Sequence, residues 1–278
     1  MVEVNINVDT NSLKWLLTLA QRKQTIDGSS HAQLYSVILK ASDGRLSLTS
    51  LVKDGVTSLM RLSIPCTGQG EVVITDIDTT LGVLKYHGGV ISITPTVDKV
   101  KFKSSNKQTT LSASKEAKAF PHTPETMAQW NEKSNALAEK ISVDTLTYTT
   151  NDGQKINTSW DFSDLSTTTL YEAFRCDSMN GQKFNQYVIS FKEPNELEIR
   201  VGADLKGKTI TKIQSQPFTT PVGEDAGFTA TYGGGLEHIF QHLNSDVGIH
   251  VWDFTDAGMG HPMLITLGDG DYIFQGDK

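Results

Sequence analysis

His238 and His242 stand four residues apart in "EHIFQH", a spacing that sets two imidazoles on one helix face and suits zinc. Nothing nearby completes a ligand set, and the run is not the metalloprotease pattern, so the pair reads as a helix face. Gly233 to Gly235 precede it. Backbone amides at a glycine-rich helix start can cradle phosphate. The Lys and Ser or Thr of a phosphate loop do not follow, which leaves a close approach of helix to sheet as the reason for the glycines. "GDGD", residues 268 to 271, is part of a calcium-loop signature that stops short of the twelve-residue ligand set and reads as a turn. The sequence shows no nucleophile elbow, no HExxH and no defensible carboxylate pair. The expectation is a protein that is no enzyme and holds no metal and no cofactor.

The histidine pair must be positioned by a short helix set between extended runs, "GFTATY" before it and "GIHVWDF" and "HPMLITL" after it. The same order occurs three more times. "EVNINV" alternates apolar and polar residues; "DTNSLKWLLTLAQRK" follows with Asp9 or Thr10 as N-cap and Leu13, Leu16, Leu17 and Ala20 at helical spacing. Three extended runs come next, residues 33 to 41, 45 to 52 and 56 to 64, broken by the hairpin signals "SDG" and "KDG". The second copy is the strand "EVVIT", a helix from Asp76 closed by Gly88 with Ile77, Leu81 and Leu84 inward, then "VISITP", "KVKFKS" and "QTTLSA". In the last group Lys99, Lys101 and Lys103 alternate with Val100 and Phe102, a strand with one solvated face. The third copy is "KINTSWDF", a helix with Leu165, Leu170, Ala173 and Phe174 inward, and three runs up to residue 214.

Four copies of one strand, helix, three-strand unit predict an α+β chain of two paired domains, residues 1–115 and 141–278. Residues 116–140 connect them, with a short helical turn near Trp130. Residues 141 to 153 fit no copy.

The 278 residues carry a net charge of −7, with 37% hydrophobic and 21% charged residues, a globular composition without a membrane-spanning run. Cys66 and Cys176 lie far apart without metal-type spacing, which reads as reduced thiols in the cytoplasm. The outward helix faces nonetheless read as positive. They offer Lys14, Thr18 and Arg22, then Lys85 and His87, then Arg175, then His238, Gln241 and His242, with few acids among them. Such faces would meet a polyanion.

"LGVLKYHGGVISITPTVDKVKFKSSNKQTTLSASKEAKAFP" resembles the end of a bacterial beta-clamp domain, and "FTATYGGGLEHIFQHLNSDVGIHVWDFTDAGMGHPMLI" resembles the last helix and hairpin of the eukaryotic clamp, with its turn at Asp256 to His261. The chain is thus similar to the DNA sliding clamps, rings with sheets outside and helices lining a channel. The resemblance implies a polymerase processivity factor that encircles duplex DNA. Two domains per chain imply a homotrimer to close six. It implies partners in double-stranded DNA, a DNA polymerase, a clamp loader, other replication or repair proteins that dock short peptides, and further copies of itself, with no membrane. DNA contacts would come from Lys14, Arg22, Lys85 and Arg175, with His238 and His242. An apolar peptide pocket would use Leu46, Leu48, Phe120, Leu264, Ile265 and Leu267. Location in the cytoplasm, at a nucleoid or viral replication site, and a phage source accompany this reading. A monomeric, non-encircling viral factor and a β-rich structural or binding protein are the alternatives.

Overall fold

The computed structural model describes residues 4–21, 23–26, 29–32, 37–53, 57–96, 98–112, 124–175, 186–192, 196–201, 209–214, 227–233, 236–258 and 260–277. The chain divides into two units, one formed by Met1–Lys23, Ser30–Leu51 and Met60–Ala136, the other by Gln24–Ser29, Val52–Leu59 and Leu137–Lys278.

The first unit opens with β1 (Ile6–Asp9) and α1 (Thr10–Ala20). Asp9 is the N-cap, accepting the amides of Asn11 at 3.0 Å and Ser12 at 2.9 Å, two donors that the first helical turn cannot satisfy itself. Leu13, Leu16, Leu17 and Ala20 are fully buried, as the helical spacing predicts. A short hairpin, β2 (Lys23–Ile26) and β3 (Ser29–Ala32), follows where the sequence announces no strand. Next come β4 (Val37–Ser42), β5 (Arg45–Lys53) and β6 (Thr57–Thr67). The β4–β5 turn has positive φ at both Asp43 (54°) and Gly44 (76°), the backbone a two-residue hairpin demands.

The second copy is β7 (Gly70–Ile74), α2 (Ile77–Leu84), β8 (Val90–Pro95), β9 (Lys99–Lys103) and β10 (Gln108–Ser112). Asp76 caps α2 by accepting the Thr79 amide at 2.8 Å. The helix stops at Leu84, a turn short of Gly88, and Leu81 is half-buried rather than inward.

The fifteen-residue helix α3 (Pro124–Ala138) replaces the expected connector with one helical turn. Proline suits the first helical position, and Met, Ala, Gln, Glu and Lys are good helix formers. Weak apolar periodicity hid them. Beyond it β11 (Ile141–Ser142), β12 (Thr147–Thr149) and β13 (Lys155–Asn157) form a three-stranded antiparallel sheet.

In the second unit the third copy begins at Trp160, since "KIN" belongs to β13. It comprises β14 (Trp160–Leu165), α4 (Thr167–Arg175), β15 (Gln186–Lys192), β16 (Glu196–Val201) and β17 (Thr209–Gln214). The fourth comprises β18 (Phe228–Gly233), α5 (Leu236–Gln241), β19 (Val247–Val251), β20 (Met263–Gly268) and β21 (Asp271–Gln275). The last strand escaped the sequence reading, although "YIF" after a glycine turn is a strand signal. That turn has positive φ at Gly268, Asp269 and Gly270. The turn from Asp256 to His261 also places Gly258 and Gly260 at positive φ, and Asp277 Oδ2 accepts the His261 amide at 3.0 Å.

Pairing makes each unit inseparable into its copies. In the first unit β1 pairs with β8, the strand after α2, and β7 with β4, the strand after the β2–β3 hairpin, so the first strand of each copy joins a strand of the other. In the second unit β14 pairs with β19 and β18 with β15, the same exchange. Helix α1 packs on α2, and α4 on α5. A single copy could not bury its helix, whereas an exchanged pair closes two sheets and two helices on one core. In the second unit that core includes Phe162 against Phe191 at 5.4 Å and Phe174 stacked on Phe240 at 5.3 Å between centroids.

Candidate nucleic-acid interface

Each helix pair leaves an outward face, and the basic residues fall on it unevenly. Lys14 is half-buried on α1, and Lys85, the C-cap of α2, is exposed. Arg175 ends α4, exposed, with Nη1 3.1 Å from Glu172 Oε1 and its guanidinium 5.7 Å from the Tyr171 ring centroid. His238 lies on α5 and His242 just beyond it, both half-buried, with ring centroids 4.9 Å apart and planes at 72°. Burial, followed by the neighbouring His238, lowers the His242 pKa. That favours neutral imidazole and makes His242 a poor phosphate ligand near neutral pH. Arg22 lies outside the described residues.

Two expectations need correction. His87 does not face outward: it is buried, with Nδ1 3.0 Å from Ser104 Oγ and Nε2 3.0 Å from Thr109 Oγ1. Burial first, then the charges of Lys107 and Lys14, lowers its pKa. Acids are also not scarce on these helices, since Asp78 and Glu172 are exposed and Glu237 is half-buried. Gln21 hydrogen-bonds to Asp78. The helices of the first unit thus carry Lys14 and Lys85 with Asp78, and those of the second carry Arg175 with Glu172 and Glu237.

The sequence reading overlooked Tyr86. It is 71% exposed directly after α2, with Lys107 Nζ 5.9 Å from its ring centroid. His87 binds the hairpin of β9 and β10 and so holds the two together. An aromatic residue directly after Lys85 was the signal available.

The peptide-pocket residues are mostly core. Leu46 and Leu48 alternate on β5 and are fully buried in the first unit, as are Leu264 and Ile265 in the second. Ile265 faces the core opposite Ile249 and Ile273. Leu264 points to the other face of its sheet, beside Phe274, where Tyr148 of β12 stacks. Trp252 Nε1 donates to Ile156 O at 3.2 Å on the same side. The small sheet therefore covers the face that an open pocket would need. Leu267 is half-buried, and Phe120 lies outside the described residues.

On that covered face Asp161, His250 and Thr266 form a line across three strands. His250 Nδ1 is 2.8 Å from Asp161 Oδ1 and its Nε2 3.1 Å from Thr266 Oγ1. The order matches a nucleophile triad. A Cβ at Gly248 would sit 2.5 Å from Thr266 Oγ1 and 2.6 Å from His250 Nε2. Glycine there lets the ring lie flat between strands, which makes this a packed polar ladder. Among the described residues no group of three or more His, Cys, Asp or Glu is placed to hold a metal, and no helix is long and apolar enough to cross a membrane.

No protein-family model and no curated protein matches this sequence. Solved structures do match. The DNA polymerase III beta subunit of Thermotoga maritima superposes with a TM-score of 0.60 at 12% identity, over 99% of this chain and 65% of that one. The chain has the DNA-clamp fold. The sliding clamp of Bacillus subtilis gives 0.60 at 15% identity, over 100% of this chain and 64% of that one. The beta subunit of Pseudomonas aeruginosa gives 0.62 at 12%, over 99% and 66%. The exchanged copies and helix pairs described above are this clamp fold, and the chain spans about two thirds of the length of the solved clamps.

Proposed function

We propose that this chain is a sliding clamp, a processivity factor that encircles duplex DNA and tethers a polymerase to it. The observation that carries the reading is the repeated exchange of strands that sets two packed helices on each unit, in a chain matched along 99% of its length by a solved clamp. Two clamp units per chain call for three copies to close a ring of six. Among the described residues strands β10 and β17 end their sheets. An edge of one copy adding to an edge of the next gives the heterologous contact that such closure needs.

DNA passes along the outward helix faces, touched through phosphates by Lys14, Lys85, Arg175 and Arg22, with Tyr86 next to Lys85 and His238 and His242 contributing less. Few net charges suit a tether that slides rather than locks in one register. A loader and peptide-bearing replication partners, acting in the cytoplasm, complete the reading. Leu46, Leu48, Leu264 and Ile265 are fully buried, so of the six the reading keeps Leu267 and Phe120 for their pocket.

Light scattering across a concentration series tests the assembly. Three times the 30.5 kDa chain mass, about 92 kDa, is expected. A monomer at every concentration would refute the ring and leave a non-encircling factor of the same fold.

A further inference from the structure

Strand β9 sets Lys99, Lys101 and Lys103 on one face and the buried Val100 and Phe102 on the other. Lys99 and Lys103 are exposed and Lys101 is half-buried. The register fixes what surrounds them. Lys103 lies between Ser92 and Gln108, Lys101 between Thr94 and Thr110, and Lys99 opposite Ser112. Ser92 in turn lies opposite Asn7. Apart from the lysines, every residue in these rows is an uncharged hydroxyl or amide. The nearest acids on these elements are Asp98, in the turn before β9, and Asp9, which is already engaged as the cap of α1. Among the described residues the three lysines form no ion pair.

We propose that this face docks an acidic, extended peptide segment of a partner protein. Successive lysines on a strand are roughly 6.7 Å apart, the same repeat as alternate residues of any extended chain. Glu or Asp at every second position of the partner therefore meets one lysine each. The flanking hydroxyls and amides can serve the peptide backbone. Nucleic acid fits less well. No aromatic residue lies in the rows to stack a base. The surface lies on a sheet face rather than on a helix, so it stands apart from the proposed DNA contacts, and its rows reach β10, the strand that ends this sheet.

The test is fluorescence anisotropy of a labelled peptide of alternating Glu and Ser against the full chain at low salt. An oligothymidylate of equal length is the parallel probe. Saturable peptide binding is expected, weakened about tenfold in the triple variant Lys99→Gln, Lys101→Gln, Lys103→Gln, because exposed ion pairs each add little. Binding should also fall steeply with added salt. Light scattering and thermal melting of the variant must match the parent, and the single change Lys101→Gln supplies an intermediate loss if the triple variant is perturbed. Oligothymidylate binding without peptide binding would overturn the choice of partner. No peptide binding, or binding indifferent to the substitutions, would overturn the surface itself.

Discussion

The Tyr148 ring stacks on Phe274 with centroids 6.4 Å apart and planes at 21°, and meets Phe254 edge-on at 5.3 Å. One residue of a three-stranded addition thereby closes the face of the second unit's main sheet. Tyr148 is half-buried, and burial raises its phenol pKa. Tyr148→Ala should cost about 1–3 kcal/mol, less than truncating a fully buried aromatic. Denaturant midpoints would measure it, and Trp252 fluorescence should report the opened face. An unchanged midpoint would mean that the addition is not coupled to the sheet.

His87 joins the end of α2 to β9 and β10 in its neutral form. Its folded pKa lies below the ordinary value of 6.5, so the unfolded chain binds the proton first as pH falls. Its contribution is complete above about pH 6.5 and is lost as pH drops through the folded value. His87→Gln, which keeps a donor and an acceptor without titrating, should flatten that part of the stability profile. Equal slopes for parent and variant would contradict the assignment.

Asp161 responds in a lower window. Burial alone would raise its pKa, but the hydrogen bonds from His250 and Thr158 outweigh it and hold the carboxyl below 3.8. Stability from this group is present above the unfolded value and lost as pH falls through the folded one. Asp161→Asn should cost about 1–2 kcal/mol at neutral pH and little under strong acid. A loss that persists undiminished at acid pH would point to packing instead.

Neutralising Lys14, Lys85 and Arg175 together should weaken association with duplex DNA across all sequences. The slope of log affinity against log salt should fall by roughly one for each phosphate contact removed. Tyr86→Ala should weaken binding without changing that slope. Unaltered affinity in the triple variant would sink the helix faces as the DNA surface.

Sequence periodicity alone determined the four copies, because a helix that must bury one stripe and strands that must bury alternate residues leave that pattern in the order of apolar residues. Leu13, Leu16 and Leu17, and Val100 with Phe102, are buried as their spacing requires. Local chemistry likewise marked Asp9 or Thr10, and Asp76, as caps and Asp43 with Gly44 as a turn. What periodicity cannot encode is which strand lies beside which. The exchange of β1 with β8 and of β14 with β19 arises from contacts between distant segments. So does the burial of Leu264: its sheet face is apolar or polar by alternation, but whether water reaches it depends on β11 to β13, a segment of the chain that fits no copy. His87 shows the same limit, since its place after a helix looked outward and only Ser104 and Thr109, brought near by the β9–β10 hairpin, turned it in.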